Sequence, residues 1–418
     1  MSGISKDPIL IEDSIVFQDG DGVFIYGQNQ KKVSWVKSWD NSFFQRLQER
    51  GFFSPLVKTI SNPENRIFSN LMLLLGRGCS LSCRYCYADA GITTELMSKE
   101  IADRAVSLYL ATDPANPKVT LFGGGEPTLN FDTIKHIIGK YERRVRWTLT
   151  TSGILSSRFL EWLIDRGVAL TFSVDGPPEI QNFLRPLKGG KPSSSIVERS
   201  MHIWLNKSRK PLSVRATLTE DTADQIDDIL SYFCALGVEN IHLEPLYNLG
   251  RAAKLVEENL LKQLSVEKWI RVITKSLKWA REKKKHIKIG ELSYLLNPGA
   301  SSYCGPMCGK TIVINHKGQL IACSEVVDEK NEDWNLFCIG DCQTEFRIDE
   351  QKLNRLSSRI SDNMTSCQNC FAKYLCRGGC AHKGWVATND LFSPDPNHCR
   401  FIKAIIPLLM KEMAMRNR

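Results

Sequence analysis

The segment NLMLLLGRGCSLSCRYCYADAG, residues 70–91, decides the fold prediction for this 418-residue chain. It begins with a short, continuous apolar run at 71–75, which is the pattern of a strand buried on both faces of a parallel sheet. A loop follows and places Cys79, Cys83 and Cys86 in the spacing CxxxCxxC. The segment therefore predicts a buried strand that ends in a loop with three thiol side chains.

Further strands and helices are predicted downstream of this segment. Short apolar runs follow at 119–122, 146–151, 170–175, 214–219 and 240–246. Amphipathic stretches between them predict helices at 99–110, 131–140, 158–166 and 221–236. Repeated strand–helix units indicate an α/β domain with a parallel sheet, either doubly wound or curled into an incomplete barrel. In both arrangements ligands bind at the carboxyl ends of the strands, where the cysteine loop lies.

The whole chain divides into four predicted segments. They are a short N-terminal α+β extension at 1–69, the strand–helix domain at 70–290, a small irregular cysteine-rich domain at 291–400, and a C-terminal helix at 401–418. Within the extension, alternating hydrophobicity at 14–25 and 32–36 predicts a hairpin with its turn at 27–30. Residues 42–51 predict a short helix. The extension is therefore expected to be a small unit of its own.

Cysteine is the most unusual feature of the composition, with 14 residues, of which ten lie between Cys304 and Cys399. The first residues carry no apolar run, and no stretch approaches the roughly 20 apolar residues of a membrane span. We therefore expect a cytoplasmic protein without a membrane partner. Because the cytosol keeps thiols reduced, thiolate ligands for metal are a better explanation than disulfides.

The formal net charge of +9 includes a basic run at 281–288. Such a run predicts a solvated helix face, and an acidic partner such as a peptide or nucleic acid is the alternative.

Three thiolates at the CxxxCxxC spacing can bind three corners of a 4Fe-4S cubane and leave the fourth iron without a protein ligand. Zinc is the alternative, but it normally takes a fourth Cys or His, and this loop has none. In its position after the first strand, the motif resembles the signature of the radical S-adenosylmethionine (SAM) superfamily, whose fold is a partial (β/α)6 TIM-like barrel. The resemblance implies that the open iron binds SAM. Reductive cleavage would then yield a 5′-deoxyadenosyl radical that abstracts hydrogen from a substrate carbon.

The ends of later predicted strands extend this resemblance. Gly124, Gly125 and Glu126, followed by proline, resemble the GGEP motif, which implies contacts with the amino group of SAM. Tyr85 stands at the aromatic position before the third cysteine, which packs by the adenine in this superfamily. The turn at 151–153, Thr-Ser-Gly, resembles the family's TNG turn with serine in place of asparagine.

Ser173, Asp175 and Arg185 resemble the region that contacts the ribose and carboxylate of the cofactor. For Asp175, a helix cap is the alternative role. The segment PLYNLGR at 245–251 resembles the end of the sixth strand in this superfamily. The resemblance therefore assigns cofactor contacts to the ends of several strands.

The later cysteines follow the order of the SPASM domain, a C-terminal extension of radical enzymes that carries auxiliary 4Fe-4S clusters. The resemblance assigns the first auxiliary cluster to Cys304, Cys308, Cys323 and Cys380. It assigns the second to Cys367, Cys370, Cys376 and Cys399. Two structural zinc ribbons are the alternative, because CxxC pairs also bind zinc. Cys338 and Cys342 lie outside the pattern, and either could replace Cys304, whereas Cys234 is expected to be a small buried hydrophobic residue.

The resemblance covers residues 70–400 and implies a peptide or protein substrate. Its leading implication is an enzyme that forms a carbon–carbon, carbon–sulfur or ether link in a ribosomally made peptide. Sulfatase maturation, in which Cys or Ser is oxidised to formylglycine, is the alternative enzyme function. That branch typically has an aspartate directly after the cysteine matched to Cys323, where this chain has Ser324 and then Glu325. An alternative of another class is a zinc-stabilised protein that binds nucleic acid through its basic face.

The resemblance also implies partners. The N-terminal hairpin and helix are similar to part of the leader-peptide recognition domains of such enzymes, and an exposed edge strand could bind a leader by strand addition. A packing extension is the alternative role of this segment. A flavodoxin or ferredoxin is expected as electron donor, and the auxiliary clusters are expected to accept the electron released when a crosslink closes. Nucleic acid is not expected as a partner of the enzyme.

Overall fold

The computed structural model describes residues 7–11, 13–20, 22–37, 41–53, 68–283, 286–289, 299 and 302–416. The chain divides into two compact units. The smaller unit consists of Met1–Pro63, Glu291–Cys304 and Ser357–Arg418, and the larger unit of Glu64–Gly290 and Gly305–Leu356.

The smaller unit contains a four-stranded antiparallel sheet in the order β1-β2-β3-β4. Its strands are Ile9–Ile11 (β1), Ser14–Asp19 (β2), Gly22–Gly27 (β3) and Lys32–Val36 (β4). The prediction of a single strand at 14–25 is wrong, because Gly20 adopts a left-handed conformation (φ +56°) and turns the chain. The helix Asn41–Glu49 follows, and its Leu47 shares a buried core with Ile25 of β3.

Three helices from the C-terminal part of the chain complete the smaller unit. They are Lys373–Cys376, Ala381–Thr388 and Pro396–Arg416. The last helix begins earlier than the predicted 401, and its Lys411 Nζ lies 2.6 Å from Asp19 Oδ2 of β2. The two ends of the chain therefore fold into one compact unit, although the sequence patterns suggested separate segments at 1–69 and 401–418.

The larger unit is built on an 11-stranded sheet in the order β11-β10-β9-β8-β7-β6-β5-β12-β13-β14-β15. The first seven of these strands in chain order are Asn70–Leu74 (β5), Lys118–Phe122 (β6), Arg146–Thr151 (β7), Ala169–Ser173 (β8), Ser213–Leu218 (β9), Asn240–Pro245 (β10) and His286–Ile289 (β11). The others are Thr311–Ile314 (β12), Gln319–Ile321 (β13), Cys338–Asp341 (β14) and Arg347–Ile348 (β15).

The strand order distinguishes between the two arrangements that the sequence left open. From β5 to β11, each strand pairs in parallel with the next one along the chain. A doubly wound sheet would reverse its order at a switch point among these strands, and the run from β5 to β11 does not. The prediction of a barrel-type winding is therefore confirmed.

Helices lie between the parallel strands. They are Lys99–Ala111, Phe131–Tyr141, Ser157–Asp165, Pro178–Leu184, Ser194–Lys207, Ile226–Ala235, Arg251–Glu257 and Val266–Lys283, with the shorter Trp334–Phe337 and Glu350–Ser357 later in the chain. The predicted helices at 99–110, 131–140 and 158–166 agree closely with this. The predicted helix at 221–236 begins instead as a tight 3-10 turn, Thr222–Gln225.

Part of the region predicted to be irregular extends the parallel sheet. The apolar segment TIVI forms β12 and pairs in parallel with β5, with Thr311 opposite Asn70. The antiparallel strands β13 to β15 follow. Residues 305–356 therefore belong to the compact unit of the barrel, because their backbone hydrogen bonds continue its sheet.

The basic run at 281–288 was predicted to be a helix face, but only its start is helical, and β11 begins at His286. Within the described ranges, no helix has both the length and the apolar character that a membrane span requires.

The two faces of the barrel sheet differ in polarity. Along β6 to β10, buried and half-buried side chains alternate, and most of the half-buried ones are polar. The hydroxyl of Thr148 donates to that of Thr120 at 3.0 Å, and Thr120 donates to Asn70 Oδ1 at 3.3 Å, so one face carries a hydrogen-bonded row across three strands. The candidate site uses polar side chains at the carboxyl ends of these strands.

Candidate functional site

The cysteine loop begins where β5 ends, and the glycine-rich end of β6 supports it. Gly125 N donates to Gly76 O at 2.9 Å, and Glu126 N donates to Gly78 O at 2.8 Å. A Cβ on Gly125 would lie 2.0 Å from Gly78 O, so only glycine allows this approach. The predicted motifs of the first two strand ends are thus in direct contact.

The three thiols of the loop lie close enough to influence one another. Leu81 N donates to Cys79 Sγ at 3.4 Å, and Ala90 N donates to Cys86 Sγ at 3.3 Å. Burial raises the pKa of Cys79 to about 11 and that of Cys83 to about 12, and the neighbouring Cys86 thiolate adds to both shifts. A metal would displace these protons, because thiolates are the ligand form. Three adjacent sulfurs with backbone N–H donors fit a 4Fe-4S cluster that has one open iron.

Arg251, the first residue of the helix Arg251–Glu257 that follows β10, holds the far side of the loop. Its Nε donates to Asp89 Oδ1 at 2.9 Å, its Nη1 to Cys83 O at 2.8 Å and its Nη2 to Ala90 O at 2.9 Å. The preceding Gly250 has φ +57°, and a Cβ there would lie 2.2 Å from Tyr87 O. Sequence reasoning singled out the PLYNLGR segment but missed this role of its arginine.

Asp175, at the end of β8, connects three other elements. Its Oδ2 accepts from Tyr85 Oη at 2.5 Å and from Arg185 Nε at 3.0 Å, and its Oδ1 accepts from Thr217 N at 3.0 Å. The Arg185 guanidinium lies 5.1 Å from the centre of the Tyr85 ring, and burial raises the pKa of Tyr85 well above its usual value. The helix-cap alternative is wrong, because the helix Pro178–Leu184 has no side-chain cap. Adenine packing by Tyr85 stays a prediction.

The buried Glu126 carboxylate joins the ends of β6 and β7. Its Oε1 accepts from Thr128 N at 3.1 Å, Thr128 Oγ1 at 2.6 Å and Thr151 Oγ1 at 2.8 Å, while its Oε2 accepts from Ser152 N at 2.7 Å. Both oxygens therefore have protein partners, and a contact with the amino group of SAM would use the remaining capacity of Oε2.

Two further predicted residues, Gly124 and Ser173, lie at the ends of β6 and β8. A Cβ on Gly124 would lie 2.6 Å from Val327 Cγ1, so this position also needs a small residue. Ser173 is half-buried at the end of β8, in register with Arg215 of β9. Cofactor contacts of both residues stay predictions.

Sequence reasoning missed a polar group on β9 and β10. The Arg215 guanidinium bonds to Glu244 Oε2, and His242 Nε2 lies 3.0 Å from Glu244 Oε1. The side chains of Arg215, Glu244 and His242 are 38%, 23% and 33% exposed, respectively. The group is therefore accessible to a ligand. The only sequence signal was a set of polar residues two apart on otherwise apolar strands.

Tyr87 links this polar group to the cysteine loop. Tyr87 Oη donates to Gly123 O at 3.1 Å. Burial raises its pKa, and the charges of Cys86 and Glu325 add to the shift. Burial opposes the charged form of Arg215, but the charges of Glu244, Tyr87 and Glu325 raise its pKa above the usual value. Charged side chains of β9, β10 and the 325 position therefore lie near the cysteine loop.

In the smaller unit, one pocket is lined by all four cysteines predicted for the second auxiliary cluster. They are Cys367, Cys370, Cys376 and Cys399. Burial, with the neighbouring thiols, raises the pKa of Cys367 to about 11 and that of Cys399 to about 12. His398 Nε2 lies 3.5 Å from Cys376 Sγ. Four converging thiols fit a closed 4Fe-4S cluster.

The four cysteines predicted for the first auxiliary cluster are divided between the two compact units. Of the first predicted auxiliary set, Cys304 and Cys380 belong to the smaller unit and Cys308 and Cys323 to the larger one, so that set stays a prediction. Cys338 begins β14, Cys342 is buried after that strand, and burial raises the pKa of both thiols. Cys234 is half-buried on the helix Ile226–Ala235.

A barrel-type parallel sheet that presents three cysteines and a glycine-rich turn at its carboxyl end defines the class of iron–sulfur enzymes that use SAM. Residues 73–233 match the family model of the radical SAM superfamily. The chain contains a radical SAM domain and is a radical SAM oxidoreductase, with SAM and 4Fe-4S clusters as the cofactors of this class.

Curated relatives cover most of the chain. It is 24% identical over 350 residues to the serine-type anaerobic sulfatase-maturating enzyme of Klebsiella aerogenes, covering 78% of this chain and 82% of that protein. It is also 24% identical over 332 residues to the cysteine-type anaerobic sulfatase-maturating enzyme of Clostridium perfringens, covering 72% of this chain and 86% of that protein.

Two solved structures share the fold. Streptococcus suis SuiB bound to precursor peptide SuiA has a TM-score of 0.61 at 13% identity and covers 94% of this chain and 100% of that chain. Native anSMEcpe with bound AdoMet and Cp18Cys peptide has a TM-score of 0.66 at 18% identity and covers 83% of this chain and 99% of that chain.

Proposed function

We propose that this chain modifies a ribosomally made peptide by forming an oxidative crosslink. The accessible group of Arg215, Glu244 and His242 beside the cysteine loop carries the proposal, since it offers both charges and an imidazole to a flexible peptide. The solved relatives include SuiB with a precursor peptide. Together, these observations favour a peptide over a small metabolite as substrate.

Residues of this chain would hold the cofactors and orient the substrate. Cys79, Cys83 and Cys86 would hold the first cluster, and the 124–126 turn and the Asp175 group would line the SAM site. When bound, the cluster and SAM supply a carbon-centred radical that removes a hydrogen atom from the peptide. Arg251 keeps the loop in place. The Arg215 group positions charged or amide groups of the peptide.

Crosslink formation removes two hydrogens from the peptide, the first as an atom and the second as a proton plus an electron. We propose that Glu325 accepts the proton, because this half-buried carboxylate belongs to the charged surroundings of Tyr87 and Arg215. The pocket of Cys367, Cys370, Cys376 and Cys399 would hold a group able to take up the electron. A flavodoxin or ferredoxin would supply the electron that starts the reaction.

The Glu325→Gln variant tests the proton step. We expect 5′-deoxyadenosine still to form, while the crosslinked product falls by roughly 10²- to 10⁴-fold, the usual range for a lost general base. Glu332→Gln, an exposed position in the same segment, is the control. Unchanged crosslinking in Glu325→Gln would exclude this role.

The decisive experiment for the function is co-expression with a short peptide encoded beside the gene. A mass loss of two hydrogens, located by fragmentation to a linked pair of residues, supports crosslinking. Cys83→Ala is the inactive control. Sulfatase maturation is the second candidate, because curated maturases align with most of the chain. An aldehyde on a sulfatase-derived peptide, without a linked pair, would establish that function instead.

The N-terminal sheet is proposed to bind the leader of the peptide. In the order β1-β2-β3-β4, the strands β1 and β4 are the sheet edges, and Trp35 on β4 is 36% exposed. Edge strands accept a further strand through backbone hydrogen bonds. We expect Trp35→Ala to weaken leader binding about tenfold in fluorescence anisotropy, while Ile92→Ala, an exposed apolar residue of the larger unit, leaves it unchanged.

A further inference from the structure

Three potential metal ligands that are not cysteines converge in the larger unit. Glu95 precedes the helix Lys99–Ala111, His316 lies in the turn between β12 and β13, and Asp328 follows β13. One ligand atom from each lies within 4.8 Å of the others, and His316 Nε2 is 3.7 Å from Glu95 Oε2.

The buried members of this group have unpaired polar atoms. His316 is 4% exposed, and neither ring nitrogen has a hydrogen-bond partner among the described residues. Asp328 is fully buried, and its Oδ2 likewise has no hydrogen-bond partner among the described residues. Buried polar atoms are nearly always paired in folded proteins, so three such atoms call for a ligand. A cation would use a lone pair from the imidazole and from both carboxylates.

Neighbouring groups orient the two carboxylates. Asp328 Oδ1 accepts from Arg77 Nη1 at 3.0 Å and from Lys330 N at 3.1 Å, which leaves Oδ2 for another partner. Thr93 Oγ1 donates to Glu95 Oε2 at 3.2 Å. Such outer contacts are typical of metal sites, where they fix the direction of the ligands.

The surroundings provide an entry path for a metal ion, and they also place a lysine that competes with it for Glu95. The Glu95 side chain is 41% exposed, which provides an entry path. Lys330 Nζ lies 3.9 Å from Glu95 Oε2, but this side chain is 52% exposed and can move into solvent. Burial lowers the pKa of His316, against the opposing charges of Asp328 and Glu95, so the neutral form that binds metals is favoured.

We propose that Glu95, His316 and Asp328 bind one divalent transition-metal ion of the zinc type. One imidazole and two carboxylates are ligands that zinc accepts, and a water would complete a tetrahedral site. The ion would link the turn between β12 and β13 to the segment at Glu95, whose backbone oxygen accepts from Arg77 N at 2.9 Å. It would therefore stabilise the polypeptide next to the cysteine loop.

Zinc binding by the anaerobic holoprotein tests the proposal. After its iron–sulfur clusters are reconstituted and loose metal is removed with a chelator, the protein is titrated with zinc chloride, and bound zinc is measured by mass spectrometry. We expect about one zinc per chain in addition to the iron. His316→Ala and Glu95→Gln should each weaken binding at least tenfold, whereas His202→Ala, at an exposed helix position, should not. Glu95→Gln keeps the test valid if the buried substitution prevents folding.

Three outcomes would contradict the proposal. Equal zinc affinity in the wild type and Glu95→Gln would show that the zinc lies elsewhere. Cobalt(II) in place of zinc should give only weak d–d bands, and intense thiolate charge-transfer absorption would place the metal at cysteines. Lys330→Met should tighten zinc binding several-fold by removing a competing charge, and weaker binding would contradict the assigned geometry.

Discussion

At the residue scale, individual side chains from distant strand ends hold the cysteine loop. Arg251 makes three side-chain hydrogen bonds to it, and Arg77 makes one to Ala88 O at 2.9 Å. Hydrogen bonds of charged groups contribute roughly 1.5–3 kcal/mol each, so these contacts matter for the shape of the loop. The loop geometry therefore depends both on Arg77 within the loop and on Arg251, which is far from it in the sequence.

Arg251→Ala should loosen the cysteine loop. We expect 5′-deoxyadenosine formation to fall at least about tenfold, with reduced iron content, because even one lost charged hydrogen bond is worth that factor. Arg199→Ala, an exposed arginine on the helix Ser194–Lys207, is the matched control. Equal activity of the two variants would show that the hydrogen bonds of Arg251 to the loop are not needed for activity.

Asp175→Asn should destabilise the barrel. Asp175 is fully buried and the Arg185 side chain is 11% exposed, so the change leaves a buried cation without its counter-charge. Removing one partner of a buried ion pair lowers the free energy of unfolding by about 3–5 kcal/mol, so the denaturant concentration at the unfolding midpoint should fall markedly. For comparison, Asp103→Asn breaks a pair whose side chains are 26% and 50% exposed and should cost no more than about 1 kcal/mol. Similar midpoints for both variants would contradict the importance of burial here.

At the element scale, the approach of the β6 end to the cysteine loop depends on glycine. Gly125 lies against Gly78, whereas Gly139 on the helix Phe131–Tyr141 has open space at its Cβ position. The two glycines therefore have different reasons to be present, Gly125 in the turn after β6 and Gly139 inside a helix.

Gly125→Ala should push the loop away from β6 and abolish SAM cleavage, because the new Cβ would overlap the Gly78 carbonyl. Gly139→Ala should preserve activity and raise stability by about 0.5–1 kcal/mol through helix propensity. Thermal unfolding and 5′-deoxyadenosine assays check both effects. An active Gly125→Ala enzyme would show that the strand end adapts.

At the scale of the whole molecule, iron content reports the number of clusters. Three cubanes correspond to about twelve irons per chain, and the double variant Cys367→Ala and Cys370→Ala should lose about four of them. Formation of 5′-deoxyadenosine should persist, because the cysteine triplet is untouched. Stoichiometric zinc in place of iron, or an iron content unaffected by the double change, would be the contrary result.

Much of the barrel followed from local patterns. The strands and helices were predictable because a buried parallel strand is an uninterrupted apolar run and an amphipathic helix repeats every 3.6 residues. The same reasoning missed the turn at Gly20 and the strand TIVI at β12, since a short apolar segment does not reveal its pairing partner. Arg251 and Arg215 were missed as site residues because their importance arises from contacts far along the chain.

By itself, the sequence determined the cysteine triplet, the strand-end motifs and the class of chemistry, because ligand spacing and residue type are local properties. The tertiary structure decided between the two windings that the strand pattern by itself left open, and it alone showed that Asp175 joins Tyr85 to Arg185 and that the ends of the chain share one unit. It also brought Glu95, His316 and Asp328 together. These features depend on long-range backbone pairing and side-chain burial, which no local pattern encodes.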